Sequence, residues 1–257
     1  MTSIVGILCG DGVVIGADSS ATFGSSLQCL TVEQPTRKVH IVNNRVIVAG
    51  TGQIGLGQRF TDVVKRLDDA NSLNCAPLEA VKQVTRNVIK DFMSTSAPAK
   101  QYGALLAFVA KDKPCLCEFG VDDLQPELKT EDIWYVSMGS AQRITDPFLA
   151  LMREVYWVSG PPSLQDGVFA AMWTLDHAIS VNPGGVNGPP CIATLSQHNG
   201  KLRAEYVEDA QLWEHKQSVV ELKKLMREFR QSHHAEPARP LPEAPSAVPG
   251  TRSQGDV

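Results

Sequence analysis

No apolar run in this chain approaches the length that spans a bilayer. The N-terminus has no basic segment followed by a leader-like apolar region, so export is not expected. Charge of one sign is also scarce. A net charge of −4 offers no electrostatic footing for nucleic acid or a membrane surface. The six cysteines are scattered, and Cys115 and Cys117 lack further ligands at metal-site spacing, so no metal or other cofactor is expected. Cys9 and Cys191 lie in apolar runs as small hydrophobes, which fits a reducing cytoplasm. What remains is 257 residues, 43% hydrophobic and 20% charged, the composition of a water-soluble globular chain.

Met1 to Thr22 organises the rest. Ser3–Cys9 and Val13–Ala17 are nearly continuous apolar runs, as expected of strands covered on both faces. Asp11-Gly12 is a two-residue turn signal between them. Counting outward from that turn, with residue 10 opposite 13, places Thr2 beside the stretch from Asp18 to Thr22. Without Met1, Thr2 carries a hydroxyl nucleophile and a free α-amine on one residue, and the amine can serve as base for the hydroxyl.

Downstream, Phe23–Pro35 reads as a polar loop without a recognisable motif. Arg37–Val42 and Arg45–Ala49 read as strands, the second ending in Gly50-Thr51-Gly52, where a ligand can approach the main chain closely. Helical spacing covers Ile54–Ala70 and Pro77 to about Thr95. Tyr102–Ala110, Cys115–Phe119 and Ile133–Met138 read as strands. Gly139-Ser140 opens a helix to about Val158 with Ser140 as its cap. A further helix covers Ser163–Ile179. Cys191–Ser196 and Lys201–Tyr206 form a hairpin around Asn199-Gly200, and Asp209–Arg230 is a long helix. From Gln231 to Val257 five prolines and few apolar residues predict a disordered tail in which His233-His234 is solvated. The domain is therefore expected to span residues 2–230 and the tail 231–257. Strands grouped in twos and threes between helix pairs predict an α+β architecture, a four-layer αββα sandwich of two antiparallel sheets.

Thr2-Ser3-Ile4-Val5-Gly6, Asp11–Asp18, Ala21-Thr22, Arg37-Lys38-Val39 and Val46–Gly52 together resemble the opening of a proteasome β-type subunit, a threonine peptidase of the N-terminal-nucleophile hydrolases. The resemblance covers residues 2 to about 95 well. Gly139-Ser140 and Leu175-Asp176 extend it to about residue 206. It implies that Thr2, freed of Met1, is the nucleophile, with Asp18 and Lys38 as its charged partners. A lysine ammonium would disfavour protonation of an α-amine that starts near ~7.7–8, and Asp18 would hold that lysine charged and in place. Ser140 and Asp176 match the family's supporting polar pair. The resemblance makes Gly52 the donor to the oxyanion. The backbone around Thr22 and Gly52 would hold an extended peptide, and Gly50 would shape the specificity pocket.

The chain departs from the family pattern in three places. Ser20 stands where an arginine is common, the loop before Lys38 is longer than usual, and Ile179 replaces a small hydroxyl residue. With no long segment before Thr2, removal of Met1 would suffice for activation, as in the HslV-like peptidases and the bacterial proteasome homologues. The implied partners are identical subunits in stacked rings, unfolded polypeptide substrates, and an ATP-dependent unfoldase or other activator. Two other functions stay open: an N-terminal-nucleophile amidase or acylase, and a catalytically silent ring subunit.

Overall fold

Residues 3–17 are apolar at almost every position, and the strands they form, β1 (Ser3–Cys9) and β2 (Gly12–Ala17), are buried on both faces. In this computed structural model the described residues are 2–23, 32–97, 101–182, 185–198 and 200–234. The hairpin closes two residues from the expected register. Cys9 pairs with Gly12 and Ile4 with Ala17, so Gly10-Asp11 forms the turn. Gly12 is drawn into the strand because β11 (Cys191–His198) packs on it. A Cβ there would lie 2.7 Å from the Leu195 carbonyl oxygen. Asp11 instead reaches across the molecule, its Oδ1 accepting Leu164 N–H at 2.6 Å.

The segment expected to be a featureless loop contains a two-stranded ribbon, β3 (Ser20–Phe23) paired with β4 (Val32–Pro35). Next come β5 (Val39–Val42) and β6 (Val46–Gly52), then α1 (Ile54–Asp69) and α2 (Pro77–Met93). β7 (Tyr102–Ala110), β8 (Lys113–Phe119) and the short β9 (Pro126–Leu128) complete a sheet ordered β5-β6-β7-β8-β9. β10 (Tyr135–Gly139) leads into α3 (Gln142–Tyr156) and α4 (Leu164–Val181). The second sheet is ordered β10-β1-β2-β11-β12, with β12 at Lys201–Tyr206. Neighbours in both sheets run antiparallel.

The two sheets face each other across Ile4, Val13, Ile15, Ile47, Ala49, Leu105, Ala107 and Leu116, all buried. Phe60, Val64, Val84, Val88 and Phe92 of α1 and α2 cover the outer face of the first sheet through Val48, Leu106 and Phe108. Each such side chain contributes about 1.5–3 kcal/mol. α4 lies on the second sheet, where Gly167 lets it approach. A Cβ there would come 2.5 Å from Cys9 Sγ. This is the expected four-layer αββα sandwich of two antiparallel sheets.

The chain divides into two units, Met1–Gln217 and Ser218–Val257. α5 (Asp209–His234) continues helical through His234, beyond the expected start of the tail, and His233 Nδ1 lies 3.0 Å from the Phe229 carbonyl oxygen. The rest of the tail, 235–257, and the Asn199 half of the last turn fall outside the described residues. Among the described residues no helix is long and apolar enough to cross a membrane.

Candidate active site

The end of β2 delivers Asp18 into the interior, where it is fully buried. A buried carboxylate needs donors, and Asp18 has several. Its Oδ1 accepts Ser3 N–H at 2.8 Å and Oδ2 accepts Ser20 N–H at 3.3 Å and Asn187 N–H at 3.4 Å. Lys38 Nζ donates to both oxygens, at 2.7 and 2.8 Å, from a side chain only 9% exposed. Lys38 lies just before β5, so the ion pair ties the two sheets together. Opposite charges at this distance away from bulk water interact far more strongly than on a surface.

Thr2 sits between this pair and the start of α3. Its backbone N–H, still bonded to Met1, donates to Ser140 Oγ at 3.1 Å, and the Ser140 hydroxyl lies 3.3 Å from the Thr2 carbonyl oxygen. Ala141 N–H donates to the same carbonyl at 3.4 Å. Ser140 is therefore not the expected helix cap. The cap position is Ala141, which makes no side-chain capping bond, and the serine hydroxyl is turned to Thr2 instead. Gly139 makes this possible. Its φ is +99° and a Cβ would lie 2.3 Å from the Thr2 carbonyl oxygen, a position glycine alone fills without strain. Ser3 Oγ, nearby, is buried with no hydrogen-bond partner among the described residues.

Thr2, Lys38, Gly50 and Gly52 open onto one cavity of about 430 Å³, which Ala21 of β3, His40 of β5 and Tyr102 of β7 also line. Gly52, at φ +114°, turns the chain from β6 into α1, and a Cβ there would strike the Gln101 carbonyl oxygen at 2.0 Å. Gly50 leaves space for the Tyr102 phenol, whose oxygen would sit 2.0 Å from a Cβ. Burial raises the Tyr102 pKa, so the phenol stays protonated. The His40 pKa is lowered, first by partial burial and then by Arg37. Arg37 itself lies over the Tyr206 ring, 4.7 Å from its centroid. A larger cavity of about 700 Å³, lined by Ser19, Asn187, Cys191 and Tyr206, lies on the other side of Arg37 and does not include Thr2.

The structure thus brings together Thr2, Asp18, Lys38, Ser140, Gly50 and Gly52. Thr22 lies in β3 opposite Glu33, one residue from the cavity-lining Ala21. Asp176 lies on α4, and its ion partner among the described residues is Lys216 of α5, at 3.8 Å. Sequence reasoning missed Tyr102 and His40. Tyr102 opened an apolar run and read as core; the signal was the glycine pair Gly50 and Gly57, whose missing side chains make its room. His40 follows buried Val39 on a strand, which puts it on the face opposite the core between the sheets.

Comparison with curated protein sequences gives no match. Solved structures match along nearly the whole chain at low identity. "Anbu (ancestral beta-subunit)" from Yersinia bercovieri has a TM-score of 0.67 at 15% identity, covering 93% of this chain and 100% of that one. An Anbu (Gly-1) mutant from Hyphomicrobium sp. strain MC1 has a TM-score of 0.66 at 14% identity, covering 94% and 100%. A helical assembly of the Anbu complex from Pseudomonas aeruginosa has a TM-score of 0.64 at 15% identity, covering 95% and 99%. These likenesses speak to the fold. The family model described as "Proteasome subunit" matches residues 1–150, more than half of the chain and the part that carries Thr2, Asp18, Lys38 and Ser140. On that match, the chain belongs to the proteasome subunit family.

Proposed function

We propose that the protein is a threonine-type endopeptidase whose nucleophile is Thr2 after removal of Met1. The observation that carries the reading is that Thr2, Lys38 and Gly52 open onto one cavity while Asp18, bonded to Lys38, also binds the backbone of Ser3, next to Thr2. In the proposed reaction the Thr2 hydroxyl oxygen attacks the substrate carbonyl carbon and its proton passes to the α-amine. Lys38 disfavours protonation of that amine at rest, which keeps it available as base. The Gly52 N–H stabilises the oxyanion. Collapse of the tetrahedral adduct breaks the C–N bond. The leaving nitrogen takes the proton from the Thr2 ammonium, and an ester remains on Thr2. Water, giving its proton to the same amine, hydrolyses the ester and restores the hydroxyl. Ser140 positions the amine throughout.

Identical subunits are proposed to associate around these sites, as the Pseudomonas aeruginosa relative does in its helical assembly. Enclosed sites would act on unfolded chains in the cytoplasm, with an unfoldase or other activator as the feeder.

The test is the intact mass of the purified protein before and after a peptide epoxyketone, with Thr2→Ala as control. Loss of Met1 and one adduct absent from the variant support the reading. A processed protein that forms no adduct but assembles supports a silent scaffold subunit. A small oligomer that hydrolyses simple amides and no peptide supports the amidase.

A further inference from the structure

Tyr102 is 3% exposed, and its hydroxyl lies against Gly50. That hydroxyl lines the cavity next to Thr2. The hydroxyl is not sealed in the core as Ser3 Oγ is, so it is open to a ligand in the cavity. The backbone around it is cut away to admit it. A Cβ at Gly50 would come 2.0 Å from the phenol oxygen, and a Cβ at Gly57 would come 3.2 Å from the ring. The floor is therefore a built donor and not a leftover of core packing.

Building on the peptidase reading, we infer that this cavity takes the side chain preceding the scissile bond, and that it selects one ending in an acceptor oxygen, glutamine or glutamate, which the Tyr102 hydroxyl binds. An apolar side chain would leave the phenol unpaired, and sites that lose a buried hydrogen bond discriminate strongly against such ligands. A lysine or arginine side chain would find no counter-ion, because no carboxylate lines the cavity among the described residues while Arg37 and Lys38 do. Ala21, Val48 and Ile54 add apolar wall that suits the methylenes of a long side chain.

Thr2 labelling rates by epoxyketones that differ only in the residue next to the warhead, glutamine, glutamate, methionine or lysine, test this. Glutamine and glutamate should react about three- to tenfold faster than methionine, the worth of one net hydrogen bond, and lysine should be slowest. Tyr102→Phe should erase the glutamine-over-methionine gap by slowing the glutamine probe more than the methionine probe. Methionine or lysine reacting fastest would overturn the inference. So would a Tyr102→Phe variant that slows every probe equally, since that is the mark of a structural role. The glutamine-to-glutamate ratio separates a neutral from an anionic ligand.

If no probe labels Thr2, the peptidase reading falls. The cavity is then read by calorimetry on the Thr2→Ala protein, with acetylated tripeptides ending in glutamine or methionine. Tighter binding of the glutamine peptide sustains the inference about the cavity; equal or absent binding overturns it.

Discussion

Ser3 N–H donates to Asp18 Oδ1 at 2.8 Å, so the carboxylate that holds Lys38 also fixes the residue next to Thr2. One side chain thereby sets both the electrostatics and the position of the proposed nucleophile. The two halves of the ion pair are not equivalent. Removing Lys38 leaves Asp18 with three backbone donors, from Ser3, Ser20 and Asn187. Removing Asp18 takes the acceptor from all three and from the ammonium.

Asp18→Ala should therefore destabilise the protein more than Lys38→Met. Breaking a buried pair costs about 3–5 kcal/mol, and the orphaned N–H groups add to that on the Asp18 side. Both variants should lose at least about a hundredfold in peptide cleavage. Urea unfolding of the two variants checks the order. A Lys38→Met protein that is the less stable of the two would refute it.

Ser140 and Gly139 position Thr2 by different means. Ser140→Ala removes one hydrogen bond to the Thr2 nitrogen, and kcat should fall about tenfold with KM unchanged, a loss of about 1.4 kcal/mol. Gly139→Ala puts a methyl group 2.3 Å from the Thr2 carbonyl oxygen on a backbone with φ of +99°. It should abolish labelling of Thr2 and lower the melting temperature, whereas Ser140→Ala leaves the latter nearly unchanged. Steady-state kinetics and thermal unfolding distinguish the two.

The Ser3 hydroxyl is buried without a partner among the described residues, whereas its backbone N–H donates to Asp18. Ser3→Ala keeps the backbone bond and removes the unsatisfied oxygen. It should leave cleavage intact and raise stability by about 1 kcal/mol or more, read from the urea midpoint at constant m-value. A loss of stability would show that the hydroxyl has a role in the native state.

The sandwich was legible because its strands are dense in β-branched residues and its helices carry apolar stripes; those signals are local. Thr2 beside Asp18 was legible from the hairpin, whereas Lys38 joined them only through the resemblance to proteasome β-type subunits. What was not legible depends on contacts between distant segments. The turn moved from Asp11-Gly12 to Gly10-Asp11 because β11 packs on Gly12, some 180 residues away in sequence. Ser140 has the composition of a cap, but Thr2 takes its hydroxyl. The β3–β4 ribbon lies in a polar stretch where pairing of backbones, not side-chain pattern, makes the strands. Tyr102 looks like any strand-opening aromatic until Gly50 and Gly57 are seen beside it.

Gly50 controls the depth of the cavity. Gly50→Ala brings a methyl group to 2.0 Å from the Tyr102 oxygen, so the phenol must swing away or the strand must shift. Long side chains next to the scissile bond should then lose about tenfold or more in kcat/KM, while alanine there is affected far less. A panel of fluorogenic peptides gives the comparison. Equal loss for long and short residues would mean that the change has moved Thr2 and not the cavity floor.

His40 makes the cavity sensitive to pH. Partial burial and Arg37 lower its pKa from 6.5, so it is neutral at pH 7.5 and gains a proton only as the pH falls below 6.5 toward that lowered value. The charged groups that share the cavity, Arg37 and Lys38, are both cationic, and Lys38 is already paired with Asp18. Protonation adds a positive charge and favours an anionic ligand by about 1 kcal/mol at most near a solvated rim. The ratio of kcat/KM for a glutamate substrate to that for its glutamine counterpart should therefore rise up to about fivefold between pH 7.5 and pH 5.5. Taking the ratio cancels the titration of the Thr2 amine, which both substrates share. His40→Gln should flatten the ratio without changing its value at pH 7.5. A slope that survives in that variant would place the responsible proton elsewhere, on the substrate.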